Sequence, residues 1–233
     1  MVSEQPLEQQ NSAPIIPFEA YIFDLDGTLL NTLVSLANCY NRVLIALGYP
    51  PHPVEAYRYF IGNGARVCVT RCLPPKARTP QTIDRALALQ QRDYAAHWQL
   101  DAQPYPGVLN MLERLVEQGV PLAVLSNKDQ HFTQACVDYF FPHIKFDQIV
   151  GYSDSVPHKP DPTGAKRIAA DFKKAPRHIA LLGDTAMDMQ TAVSCGMQGL
   201  GALWGFRDAE ELKAAGARYL LETPQNLFNI SGV

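Results

Sequence analysis

The sequence predicts an α/β fold, a doubly wound (Rossmann-like) parallel sheet interrupted after its first strand by an inserted helical cap. Three observations carry this expectation. From Tyr105 onward, short apolar runs alternate with segments of helical period. A lone apolar run, Tyr21-Ile22-Phe23, stands far upstream of them. Between the two lies a stretch, 31–103, whose apolar spacing is helical almost throughout. The implied organisation is a core from 19–30 and 104–233, a cap from 31–103 and a mobile tail over 1–18.

Each element has its own warrant. The first run ends in Asp24-Leu25-Asp26-Gly27-Thr28, and Asp-Gly between apolar runs would suit a β-hairpin. The next segment does not alternate: Leu30, Leu33, Val34, Ala37, Tyr40, Leu44 and Leu47 recur at helical steps, so strand, polar loop and helix are expected. Asn31 or Thr32 can cap that helix, and Gly48-Tyr49-Pro50-Pro51 stops it. A second helical segment covers Val54 to Phe60. Gly62-Asn63-Gly64 breaks it, and Ala65, Cys68, Val69 and Cys72 then share a face until Pro74-Pro75. Thr82 to Leu100 carries Ile83, Ala86, Leu87, Tyr94 and Trp98 at apolar positions.

In the second half, a helix over Val108–Gln118 ends at Gly119, and the strand Pro121–Leu125 runs into Ser126-Asn127-Lys128. A helix over Phe132–Tyr139 and a weak strand at Gln148–Val150 come next. Asp161 is a good N-cap and Pro162 a good first residue for a helix over Thr163–Phe172. Strand Ile179–Leu182 ends at Gly183-Asp184, a helix over Ala186–Cys195 stops at Gly196, and Leu200–Leu203 is a further strand.

Composition narrows the class. At 47% hydrophobic, 18% charged and net charge -3, the chain has no basic footprint for nucleic acid or an anionic membrane. No run approaches the roughly 20 apolar residues of a membrane span. Met1 to Phe18 has no continuous apolar core and so is not read as a secretory signal. The five cysteines include no C-x-x-C pair, which points to reduced thiols in a cytoplasmic protein. Cys68 and Cys72 lack nearby histidines and read as core residues, not zinc ligands. Oligomeric state is not legible.

Open α/β sheets bind ligands beyond the carboxyl ends of their strands. Here such ends carry Asp24 and Asp26, then Ser126 and Asn127, then Asp184. Asp184 and Asp188, four apart, fall on the first turn of a helix, where Asp188 reads equally well as a cap. Gathered carboxylates repel by about 4 kcal/mol per pair at about 4 Å and intermediate dielectric. They therefore call for a cation, and an all-oxygen set suits Mg²⁺. Pro160 keeps Lys159 extended just ahead of a helix N-terminus, where a phosphate can bind.

At these residues the chain resembles the haloacid dehalogenase superfamily, from about Glu19 to Arg207. The D-x-D-G-T motif is Asp24 to Thr28, the strand-end serine is Ser126, the lysine of a K-P-x-P loop is Lys159, and G-D-x-x-x-D is Gly183 to Asp188. The resemblance implies a phosphatase of small phosphorylated metabolites. Members acting on carbon–halogen bonds lack an acid at the position of Asp26, so phosphoryl transfer is the expected branch. In the implied mechanism Asp24 attacks phosphorus to give an aspartyl-phosphate, and Asp26 exchanges protons with leaving group and water. Ser126, Asn127 and the amides at Gly27 and Thr28 hold the phosphoryl oxygens, and Lys159 neutralises charge. Asp24, the Asp26 carbonyl and Asp184 would hold Mg²⁺, with Asp188 supporting the metal shell or Lys159.

For the substrate, Ile61-Gly62-Asn63-Gly64-Ala65-Arg66 and Leu203-Trp204-Gly205-Phe206-Arg207 look like phosphoglycolate phosphatases of this family. Arg66, with Asn63 and Gly64, is the cap candidate for a substrate carboxylate, because arginine binds carboxylates through a bidentate fork. Arg58 and Arg71 are weaker candidates. Family members often carry Asp-Ser or Asp-Thr where this chain has Asn31-Thr32, which bears on the cap hinge. The alternatives are a phosphosugar mutase, a phosphatase of other sugar phosphates or nucleotides, and a catalytically silent binding protein.

Overall fold

A computed structural model describes residues 18–230. The tail expected over 1–18 lies outside them, except for Phe18, which is buried in the core against Tyr21. Strand β1 (Ala20–Phe23) leads to the short β2 (Leu30–Asn31) and then to helices α1 (Leu33–Ala46), α2 (Tyr57–Phe60), α3 (Ala65–Cys72) and α4 (Pro80–His97). The short β3 (Gln103–Pro104) returns the chain to α5 (Val108–Glu117), β4 (Leu122–Asp129), α6 (Gln130–Phe140), β5 (Gln148–Tyr152) and α7 (Thr163–Phe172). The last elements are β6 (Ile179–Gly183), α8 (Ala186–Cys195), β7 (Gln198–Ala202), α9 (Ala209–Ala214) and β8 (Tyr219–Leu221).

The six-stranded sheet is parallel, in the order β5-β4-β1-β6-β7-β8. Its centre, β1, is wholly buried, and the two-residue period of a strand divides its side chains between two cores. Tyr21 and Phe23 join Met111 and Leu112 of α5 and Val137 of α6; Ala20 and Ile22 join Ile168 of α7 and Ala192 of α8. A third cluster lies within the helical insertion, around Tyr40, Tyr57, Cys68, Cys72 and Ala86, and Phe206 reaches it from the far side of β7. The two crossings into and out of the insertion run side by side, because β2 and β3 pair antiparallel (Leu30 with Pro104, Asn31 with Gln103).

The structure differs from the sequence expectation in several elements. Leu30 belongs to β2 and not to the first helix, which starts after an N-cap at Thr32 whose hydroxyl makes no capping bond. Strand β4 continues past Leu125 through Ser126, Asn127 and Lys128. Helix α7 starts at Thr163, with Pro162 at its N-cap, and Asp161 caps through a 2.8 Å bond from the Thr163 amide. Strand β7 begins earlier, at Gln198, and α9 and β8 carry no sequence signal long enough to be read. All five cysteines are free, and Cys68 and Cys72 are buried within the cap cluster. Among the described residues no helix is long and apolar enough to cross a membrane.

Helix α5 presents Val108, Met111, Leu112 and Leu115 to the sheet, each fully buried. Leu112→Ala should therefore destabilise the protein by about 2–5 kcal/mol, seen as a lower urea midpoint with an unchanged slope.

Candidate active site

Register builds the site. Phe23 pairs with Val124 on one side and Leu182 on the other, so the residues that follow, Asp24, Ser126 and Asp184, come to one edge of the sheet. The amide of Asp24 still donates to the Leu182 carbonyl at 2.9 Å, which fixes Asp24 as the first residue beyond the sheet. The chain runs from β1 through β4 to β5 and then returns to the other side of β1 for β6. The site thus lies where strand order reverses, the place open α/β sheets leave for ligands.

Asp24, Asp184 and Asp188 offer carboxylate oxygens within 4.8 Å of one another, and all three residues are buried. Lys159 is driven between two of them. Its Nζ lies 2.8 Å from Asp24 Oδ1 and 2.6 Å from Asp188 Oδ1, and donates to the Leu125 carbonyl at 2.8 Å. Burial works against its charge, but Asp188 and Asp24 outweigh it and hold the lysine above its usual range. Asp188 uses its other oxygen on the backbone, accepting from Thr185 N at 3.0 Å and Thr185 Oγ1 at 2.7 Å in a capping box. Asp188 thus binds Lys159 with one oxygen and the start of α8 with the other.

Asp184 is held by Thr28 Oγ1 at 2.9 Å and by the Phe206 amide at 2.8 Å. Burial raises its pKa well above the ordinary carboxylate range, with Asp24 and Asp188 adding to the rise. For Asp24, burial pushes the pKa up to about 7; Lys159 opposes that rise and Asp188 reinforces it. One ammonium is too little charge for this cluster. Gly27, at φ 89°, and Gly205 pack directly on Asp184: a Cβ would lie 2.3 Å from its Oδ2 at the first and 2.2 Å from its Cβ at the second, so only glycine lets the backbone come this close. Three buried acids whose oxygens lie within 4.8 Å of one another, two of them with elevated pKa values, fit a divalent cation held by oxygen ligands. Asp24 and Asp184 would be its side-chain ligands, while both Asp188 oxygens are already engaged.

The remaining sequence candidates separate. Ser126 is buried, lines the cavity facing Asp24 and accepts a weak bond from Lys128 N at 3.3 Å. Asn127 also borders the cavity, but its amide is used as a clamp. Its Oδ1 accepts from Lys159 N at 2.6 Å, and its Nδ2 donates to the Gly62 carbonyl at 2.8 Å and to Lys159 O at 3.2 Å. The Gly27 and Thr28 amides donate to the carbonyls of Leu30 at 2.8 Å and Leu25 at 3.3 Å, and the Thr28 hydroxyl donates to Asp184. Gly64 borders the cavity and Asn63 does not.

Arg66 departs most from expectation: it pairs with Asp84 on the outer face of the cap, with its side chain 59% exposed, and takes no part in the cavity. Its place at the start of α3 points it outward, where an aspartate of α4 is the available partner. Arg58 donates to Glu55 and to the Gly205 carbonyl, and Arg71 to the carbonyls of Tyr59 and Phe60. These are structural bonds.

Sequence reasoning misses Lys128. It follows Ser126 and Asn127 on β4, and its Nζ lies 2.8 Å from Asp26 and 2.7 Å from Tyr94 Oη. Burial opposes its charge, yet Asp26 beside it keeps its pKa well above the normal lysine value. Its partner lies 102 residues away in sequence, so the one available signal is a third polar residue at a strand end. Asp26 thus faces the cavity with a fixed cation beside it, apart from the Asp24–Asp184–Asp188 cluster. Such an arrangement can supply an attacking carboxylate, a second carboxylate for proton exchange and cations for an anionic substrate.

An alanine at 205 would set its Cβ 2.2 Å from the Asp184 Cβ and so displace a carboxylate offered to the cation. Gly205→Ala is expected to weaken divalent-cation affinity by about tenfold or more, measured by titration calorimetry.

Comparison with known proteins agrees with this geometry. Residues 21–202 match the family model of haloacid dehalogenase-like hydrolases. A phosphoglycolate phosphatase of Pseudomonas putida is 34% identical over 198 residues, covering 83% of this chain and 72% of its own. One from Psychrobacter arcticus is 30% identical over 199 residues, covering 82% and 86%. The solved structure of a candidate phosphoglycolate phosphatase from Lactobacillus delbrueckii subsp. bulgaricus superposes with a TM-score of 0.86 at 29% identity, covering 91% and 98%. The chain therefore belongs to the haloacid dehalogenase-like hydrolases, as a phosphoglycolate phosphatase-like member.

Proposed function

We propose that the protein is a Mg²⁺-dependent phosphatase of short phosphorylated carboxylic acids, 2-phosphoglycolate first, working through a phosphorylated Asp24. The observation that carries the substrate size is the cavity between the strand ends and the cap. It measures about 70 Å³, and Asp24, Asp26 and Ser126 meet Tyr40, Tyr94 and Phe132 across it. That is small beside the roughly 300–1,000 Å³ usual for ligand pockets, which favours a short chain on the phosphoryl group over a sugar ring. The relatives named phosphoglycolate phosphatases support the same choice.

Asp24 Oδ1 is held by Lys159, which leaves Oδ2 to attack phosphorus. The bond from phosphorus to the ester oxygen breaks as Asp26 gives that oxygen a proton; Asp26 then takes a proton from the water that hydrolyses the aspartyl-phosphate. Lys159 and the hydroxyl of Ser126 balance the phosphoryl oxygens, and Asn127 fixes the Lys159 backbone so that the ammonium stays in place. A bound Mg²⁺ would supply further charge neutralisation for phosphate among the three buried carboxylates. Buried free thiols suit a reducing, cytoplasmic setting.

A phosphosugar mutase would have to seat a whole sugar in the same cavity, and a silent binding protein would have no need of Asp26 with its own cation. With Mg²⁺ present, 2-phosphoglycolate should give the highest kcat/KM in a panel with sugar phosphates and nucleotides, and chelation should stop turnover. A sugar phosphate or nucleotide turned over faster would sink the substrate reading. Asp24→Asn should lower kcat by about 10⁴-fold or more in the same assay; retained activity would remove Asp24 as nucleophile.

A further inference from the structure

We propose that Gln90 and Lys128 together form the subsite for the carboxylate end of the substrate, an inference that rests on the reading of a short phosphorylated acid. Helix α4 turns Ala86, Gln90 and Tyr94 inward at successive four-residue steps, with exposures of 1%, 5% and 4%. An amide in the middle of that stripe is out of place in a helix packed for its apolar face. Its side chain makes no hydrogen bond among the described residues, and it lines the cavity opposite Asp24 and Ser126. Buried amides are ordinarily paired, so an unpaired one aimed into a cavity points to a partner that arrives from outside.

Lys128 supplies the charge. An ammonium has three donors, and those of Lys128 serve Asp26 at 2.8 Å and Tyr94 Oη at 2.7 Å, which leaves one over. Among the described residues lining the cavity, Lys128 is the cation set against the carboxylates of Asp24, Asp26 and Asp129. An anionic tail therefore has one favourable direction. Tyr94, one helical turn beyond Gln90, holds the ammonium, so amide and ammonium border one cavity and are tied through the same stripe of α4. With the phosphoryl group at Asp24, a two-carbon acid would place its carboxylate there, taking one bond from Lys128 Nζ and one from Gln90 Nε2.

Because Lys128 also holds Asp26, Gln90 is the position that discriminates. The Mg²⁺-loaded enzyme and its Gln90→Leu and Gln90→Glu variants are compared on 2-phosphoglycolate and on ethyl phosphate, which has the same carbon count and no carboxylate. The ratio of kcat/KM for the acid over the ethyl ester should fall about tenfold or more in Gln90→Leu, chiefly through KM. It should fall further in Gln90→Glu, which keeps the side chain's shape and so reports even if leucine perturbs folding. An unchanged ratio, or equal losses on both substrates, overturns the subsite while leaving the phosphoglycolate reading standing. Wild-type enzyme with no preference for the acid overturns both.

Discussion

The buried ammonium of Lys159 is the interaction on which the rest of this site depends. Asp24 and Asp188 end up beside each other because one strand and one helix start must meet at the switch point of the sheet, and their like charges would otherwise drive them apart or neutralise them. Lys159 accepts the cost of leaving water because both carboxylates and a backbone carbonyl receive its protons. Asp188 in turn is anchored to the first turn of α8, and Asn127 clamps the lysine's own backbone. A chain of buried hydrogen bonds thus runs from β4 through Lys159 to α8 and fixes Asp24 at its centre.

Asp184 and Asp26 show the same logic with different outcomes. Asp184 receives only neutral donors, from Thr28 and Phe206, so no cation offsets the burial that raises its pKa. Asp26 receives a full cation, Lys128, and stands at the cavity wall. Three carboxylates at neighbouring strand ends therefore have three environments: Asp24 is paired with Lys159, Asp184 is held by neutral donors, and Asp26 is paired with Lys128 at the cavity wall. Division of labour among identical side chains comes from the partner each is bonded to.

Much of this is legible in the sequence. Tyr21-Ile22-Phe23 and Ile179-Ala180-Leu181-Leu182 are apolar runs too short for helices, and the polar residues that end them had to fall at one sheet edge. Direction is the part that sequence does not carry. Asn127 and Arg66 are the right residue types in the right neighbourhoods, yet each turns to another protein group, and side-chain direction depends on partners supplied by other elements. Leu30 misleads because an apolar residue just before a helix continues its period by chance, while pairing with Pro104 makes it a strand. Gln90 does carry a signal: a polar residue between Ala86 and Tyr94 on the inward stripe of α4, which apolar periodicity alone passes over.

The cap is fastened to the core through main-chain oxygens. Arg207 donates to Ile61 O at 2.9 Å, Asn127 to Gly62 O at 2.8 Å, and from the other side Arg58 donates to Gly205 O at 2.8 Å. A carbonyl is the same acceptor whatever side chain its residue bears. Apart from the Tyr94–Lys128 bond, fastening and recognition are thereby written in separate alphabets: the other residues of α1, α3 and α4 that face the cavity are free to drift toward a new leaving group while the seam that shuts it goes unread by those changes. A fold arranged this way can keep one phosphoryl-transfer apparatus and exchange its substrates.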